Sequence, residues 1–347
     1  MEQNWTNPYK NISLTPYRLI AAGGGHGKAV LPDGTAMGAS DLKRQLKYPQ
    51  LFAWNAERKE LDSWNKYLQE NPGCGIDLVV DSGAYSAWSR GKLFDVDEYI
   101  DYLNADKLID TCFWAAEADV IPGSYGVDPT EEERLAAPQK SWENYLYMIE
   151  RVRFPKKIVP IFHMGEDYKH LIRMLTYQFK DGDFIPYIGI SPRNDMPVVE
   201  KVKWYDKTWQ IIYDTCRKIG RDIPLTHNFG CTTVNIMEQY PSCSSDSTRW
   251  LKYAAFGLIL VVINSRTKSI NVSNRDLLSP NHINNQPLSV RQAIDDVCAK
   301  FGHGLTLQKI IEDDKGDYRA LFNLFSLNEW KKNFKYAGTQ EFKEDLW

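Results

Sequence analysis

The stretch Leu78-Val79-Val80-Asp81-Ser82-Gly83-Ala84-Tyr85-Ser86 constrains the fold of this chain more than any other. Its apolar run does not alternate, which is the pattern of a parallel strand covered on both faces. The run delivers a carboxylate, a hydroxyl and a glycine at one end, and Gly83 permits the sharp exit that a strand-to-loop turn needs. In α/β barrels reactive groups stand where strands end, which makes Asp81 a site candidate. The plainer reading is an Asx turn in which Asp81 caps its own backbone.

Two segments far downstream repeat the pattern. Leu225-Thr226-His227-Asn228-Phe229-Gly230 reads as a strand ending in polar groups and a glycine. Tyr240-Pro241-Ser242-Cys243-Ser244-Ser245-Asp246-Ser247 reads as a short strand ending in another carboxylate. Thr233 to Tyr240 between them is long enough for about two helical turns, giving a β-α-β unit with chemistry at both strand ends. Two carboxylates from different strand ends of one barrel can act as nucleophile and general acid/base at an anomeric carbon.

The rest of the pattern fits. Tyr17 to Ala22 reads as a first strand, and further apolar strands are expected near 109–116, 157–163, 184–190, 223–229 and 257–263. Helices are expected over Val96–Leu103, Ser141–Val152, Asp167–Tyr177 and Lys203–Ile219, and Asp128 to Arg134 is a proline-started, acid-led helix entry. Such alternation predicts a parallel sheet. The expected architecture is a (β/α)8 TIM-like barrel with insertions over residues 1–264, followed by a loop-rich, helical extension over 265–347 packed on it. Residues 264–287 are polar and strand-poor and read as loop; Ser289–Lys300 and Leu305–Asp313 read as helices. Leu324 to Tyr336 interleaves cations with aromatics, as single-strand binders do, although an amphipathic closing helix with a solvated cationic face is the simpler explanation.

Gly23 to Lys28 tempts a phosphate-loop reading, but Ala22 and Ala29 replace two of that motif's residues, and a glycine-rich substrate loop is the alternative. Apolar content of 43% and charged content of 25% are ordinary for a globular protein. No segment reads as a signal peptide, and the longest apolar run, Ala254 to Ile263, is too short to span a bilayer. A net charge of −3 argues against binding nucleic acid by global charge, but not against a local basic groove. Arg249 and Lys252, just after Asp246, and Arg266 and Lys268, in the polar loop, are the candidates to meet phosphates. Six cysteines, no two within ten residues, fit a reducing cytosol and offer no paired zinc ligands, so no metal or other cofactor is expected.

Five segments, in this order, resemble the tRNA-guanine transglycosylase family, especially its archaeal and phage DNA-modifying branches. Asp81-Ser82-Gly83-Ala84-Tyr85-Ser86 is similar to its Asp-Ser-Gly motif, and Ala118-Asp119-Val120-Ile121-Pro122 to its Asp-Ile-Pro element. Tyr187-Ile188-Gly189-Ile190-Ser191-Pro192 is similar to its glycine-rich strand end. His227-Asn228-Phe229-Gly230 is similar to its His-Leu-Phe-Gly element, and Ser245-Asp246-Ser247 to the segment with its nucleophile. The match covers roughly residues 77 to 250. It departs where the tRNA enzymes carry a Cys-x-Cys-x-x-Cys zinc cluster and a base-reading Gln; at the latter place stands Phe162-His163-Met164-Gly165.

The resemblance implies exchange of guanine in DNA for a free 7-deazaguanine base, on a flipped or single-stranded nucleotide. Asp246 would attack the sugar C1′, and Asp81 would serve as acid and then base. Asp119 would read the guanine edge, Tyr85 and Phe229 would sandwich the ring, Gly189 would admit the base, and His163 would contact its far side. Ser82, His227 and Gly230 would complete the pocket. A cytoplasmic location (the host's, for a phage-encoded chain) and a homodimer are compatible with this. A tRNA substrate, a barrel N-glycosidase or glycoside hydrolase, and a non-catalytic nucleic-acid-binding subunit stay open as alternatives. The presence of both Asp81 and Asp246 speaks against the last, since a dead copy is free to lose either.

Overall fold

The computed structural model describes residues 3–14, 16–24, 27–264, 266–275 and 277–336. It is a mixed α/β protein with about 44% helix and parallel sheets. The chain divides into two compact units, one of residues 1–14, 50–231 and 242–245, the other of 15–49, 232–241 and 246–347.

In the first unit, β4 (Gln50–Ala53), β5 (Leu78–Asp81), β6 (Trp114–Ala116) and β7 (Ile158–Val159) form a parallel sheet in that order. After Pro160, β8 (Ile161–His163) pairs in parallel with β9 (Tyr187–Ser191), which pairs with β10 (Leu225–Asn228), which pairs with β11 (Ser244–Ser247). Pro160 has no N–H to give to a ladder, so it interrupts β7 and β8 as strands, although its carbonyl still accepts from Gly189 N (2.8 Å). Leu78, Val79 and Val80 are fully buried, as the unbroken apolar run predicts.

Helices α2 (Arg58–Glu70), α3 (Ala84–Ser89), α4 (Val96–Asn104), α5 (Leu108–Thr111), α6 (Glu131–Ile149), α7 (Tyr168–Thr176) and α8 (Val198–Ile219) belong to this unit. Asp95 caps α4 through Glu98 N (3.0 Å), and Thr130 with Glu133 forms a capping box at α6. Two helical expectations merge in α6, which runs straight through Pro138. A mid-helix proline costs about 3 kcal/mol. Burial of Pro138 with Ala137, Trp142, Tyr145, Met148 and Ile149 offsets that cost. The strand expected over 109–116 is helical in its first part, α5, and extended only over β6.

The second unit holds β1 (Arg18–Ala21), the hairpin β2 (Lys28–Val30) with β3 (Ala36–Gly38), and α1 (Ala39–Gln45). It continues with α9 (Val234–Gln239), α10 (Arg249–Ala255), β12 (Leu258–Ile263), β13 (Arg266–Asn271), α11 (Leu288–Phe301), α12 (Leu307–Ile311) and α13 (Asp317–Lys332). The expectation of a strand-poor loop over residues 264–287 is corrected over its first part: β13 pairs antiparallel with β12, Ile263 opposite Arg266. Its pattern is outward-polar with only Ile270 fully inward, so it has no apolar signature of its own and borrows its partner's core face. The boundary anticipated at 264/265 therefore lies inside a hairpin. The closing helix is likewise not an amphipathic surface helix, because ten successive residues of α13, Arg319 to Asn328, are buried. Four of the ten, Arg319, Asn323, Ser326 and Asn328, are polar, so burial on every side of the helix, and not an apolar stripe, places it in the core. Among the described residues no helix is long and apolar enough to cross a membrane.

Candidate active site at the strand ends

Asp81 closes β5, and its Oδ1 accepts from Gly83 N (2.9 Å), so the Asx turn is present. That bond fixes the carboxylate at the edge where the chain leaves the sheet, so capping and chemistry are compatible here. Gly83 has φ +75°, and a Cβ there would collide with the Asn55 amide, whose Nδ2 donates to Gly83 O (2.7 Å). Only glycine fits. Ser82 is buried and its Oγ accepts from Ala84 N (3.3 Å), whereas Tyr85, on the first turn of α3, is 61% exposed.

The neighbouring strand β6 runs on into Glu117, Ala118 and Asp119. Asp119 meets the end of β8: His163 Nε2 lies 3.3 Å from Asp119 Oδ2, and His163 Nδ1 lies 3.1 Å from Glu166 Oε1. Burial alone would lower the imidazole pKa, but the two carboxylates outweigh it and raise it to about 10. His163 is thus an imidazolium held between two anions. Both ring nitrogens are engaged, and the pair holds Asp119 in place.

Two acids of this cluster carry no motif in the sequence. Glu117 is fully buried, and desolvation pushes its pKa well above the usual carboxylate range. Its Oε1 accepts from Ile161 N (2.7 Å), while Oε2 is buried without a hydrogen-bond partner among the described residues. Glu166 sits one turn beyond His163. The only signals are a carboxylate two residues before Asp119 and another three residues after His163, and nothing in the sequence marks which carboxylates face one another. Tyr99, buried on α4, links this cluster to Asp81. Its phenol pKa is raised well above 10 by burial first, then by the charges of Asp81, Cys112 and Asp119. Both aspartates therefore act on one ring.

At β9 and β10 the aromatic packing is internal. A Cβ on Gly189 would lie 2.5 Å from Phe229 Cε2, so the space that glycine leaves is taken by the Phe229 ring. Phe229 is half-buried and meets His227 edge-on with centroids 4.5 Å apart. His227 is fully buried; its Nδ1 shares a 2.7 Å hydrogen bond with Ser244 Oγ, which also bonds Tyr187 OH at 2.7 Å. His227 thus supports the strand ends from within the core. Gly230 is exposed at φ +60°.

In the second unit, Asp246 lies in β11 and is buried at 9% exposure. Ser247 Oγ accepts from Arg249 N (3.0 Å) at the start of α10, and the Arg249 guanidinium stands 5.1 Å over the Tyr253 ring. Lys252, Arg266 and Lys268 are exposed. Gly23 O accepts from the buried Lys43 Nζ (2.5 Å) and Ala22 O from Trp250 Nε1 (3.0 Å), anchoring the start of the glycine-rich loop. Gly25 and His26 of that loop lie outside the described residues. Lys28 opens a strand and pairs with Asp41 (3.2 Å), so a strand stands where a phosphate loop requires the start of a helix.

No protein-family model matches the chain, and no curated protein matches it. Among the described residues no cluster of His, Cys, Asp and Glu is arranged to hold a metal ion.

Proposed function

We propose that the chain exchanges guanine in DNA for a 7-deazaguanine base. The observation that supports this most is the pair of carboxylates on one edge of one sheet: Asp81 and Asp119 leave the ends of adjacent parallel strands, and Asp119 is clamped by His163. A carboxylate fixed in this way suits the N1–H and exocyclic amine of guanine, two adjacent donors that adenine does not present. In this reading His163 is a positioning residue that acts through Asp119. Tyr85 offers one π-face to a flipped purine and Phe229, braced on Gly189, the other.

The chemistry balances with the chain's own groups. An Asp246 oxygen bonds C1′ as the C1′–N9 bond breaks, and Asp81 gives its proton to the departing guanine. The incoming base then loses its N9 proton to Asp81 and attacks C1′, releasing Asp246. The successive parallel strands β4 to β11 are, on this reading, part of a (β/α)8 barrel whose C-terminal rim carries the site.

The test is mass spectrometry of nucleosides after DNA is incubated with the protein and a free 7-deazaguanine base. A 7-deazaguanine nucleoside should form with matching release of guanine. Asp246→Ala should remain folded and form none, and Asp81→Asn should turn over about 10²-fold more slowly or worse. Incorporation into tRNA and not DNA would reassign the polynucleotide. Guanine release without incorporation would make the protein a hydrolase.

A further inference from the structure

Helix α3, which follows β5, and the loop that follows β6 carry a chain of aromatic rings. Tyr85 and Trp88 have centroids 5.5 Å apart, and Trp88 and Tyr125 5.4 Å apart and nearly perpendicular. Trp88 Nε1 donates to Gly123 O (2.7 Å), tying the helix to the loop. Tyr85 and Tyr125 are 61% and 62% exposed, with Val127 exposed beside them. Large apolar groups fixed in the open mark an interaction surface. Directly after Trp88 the chain turns, Gly91 N donating to Trp88 O (3.0 Å), and presents Arg90 and Lys92. Both are exposed, and neither has an ion-pair partner among the described residues.

We propose that Trp88 and Tyr125, continuing outward from Tyr85, are a stacking platform for bases flanking the exchanged nucleotide on a single strand, with Arg90 and Lys92 meeting its phosphates. The proposal rests on the base-exchange reading and adds how the strand is held. Every base has a π-face, so such a platform grips without reading sequence, and adjacent cations supply the backbone attraction. A sugar would also stack on these rings, but would have no use for the two free cations.

The test uses the full chain and a fluorescent oligothymidylate of roughly a dozen nucleotides, followed by anisotropy. It contains no guanine, so binding needs no exchange. Tyr125→Ala should weaken binding about ten-fold, and Tyr125→Phe should keep it, since the ring and not the hydroxyl stacks. Replacing Arg90 and Lys92 with Ala should reduce the slope of log affinity against log salt by about 1.4, about 0.7 for each phosphate contact. Wild-type protein that ignores oligothymidylate, or Tyr125→Ala protein that binds it normally, would overturn the platform. So would Tyr125-dependent binding of an oligosaccharide in its place. Tyr125-dependent oligothymidylate binding by a protein that leaves guanine unexchanged would keep the platform and sink the exchange reading. Exchange with unaltered binding by Tyr125→Ala would do the reverse.

Discussion

Asp119 carries the sharpest prediction at the scale of the residue. Its carboxylate is 11% exposed and one oxygen is committed to His163. Asp119→Asn replaces one acceptor with a donor, which sets donor against donor either at the guanine edge or at the imidazolium. A mispaired group of this kind costs about 1–3 kcal/mol, or roughly ten- to a hundred-fold in discrimination between guanine-like bases and adenine. Free-base competition assays on the folded variant measure it, and unchanged discrimination would remove Asp119 from base recognition. Asp81 and Asp119 are legible as strand-end carboxylates because an apolar run or a proline marks their place. Glu117 and Glu166 are not, because what distinguishes them is a buried neighbour that no local pattern records.

The element that periodicity describes worst is α13, and it shows what holds the second unit together. Asn323 is fully buried on that helix. Its Oδ1 accepts from Leu260 N on β12 (2.6 Å), and its Nδ2 donates to Trp250 O on α10 (2.9 Å). One side chain thus ties three elements. Asn323→Leu fills the volume but leaves the Leu260 N–H without its acceptor and away from water, at about 1–3 kcal/mol. The denaturant midpoint should fall accordingly, and a variant as stable as wild type would show that this N–H finds another partner. A polar residue at a core position of an apolar helix is visible in the sequence. That it is a bridge and not a surface residue is not, since the strand and helix it serves lie 63 and 73 residues away.

At the scale of the whole molecule, the buried acid cluster makes stability depend on pH in one direction. Glu117 has a folded pKa raised above its ordinary value of 4.5, so its contribution is complete below pH 4.5 and is lost as pH rises. His163, raised from 6.5 to about 10, adds a loss of the same sign between those values. The contribution of these two groups should therefore decline on the alkaline side. Glu117→Gln removes an ionisable group from a dry site, so the variant should gain on wild type as pH climbs from about 5 to about 9. Denaturant midpoints across that range test this, and parallel curves for the two proteins would show that Glu117 ionises without cost.

The sequence alone determined the class of this protein and the places where its polar groups emerge. The unbroken apolar run Leu78 to Val80, delivered to Asp81 and Gly83, fits a buried parallel strand with a sharp exit, and that is a local property. It also marked the major helices, through their caps and periodic faces. Tertiary packing is what makes residues 266–271 of the polar stretch a strand, α13 a core helix, and His163 a neighbour of carboxylates on both sides. Each of those outcomes depends on a partner supplied from elsewhere in the chain: an apolar strand to pair with, a surrounding core, or a second strand end. Periodicity reports which face of a segment is apolar, but not what lies against it.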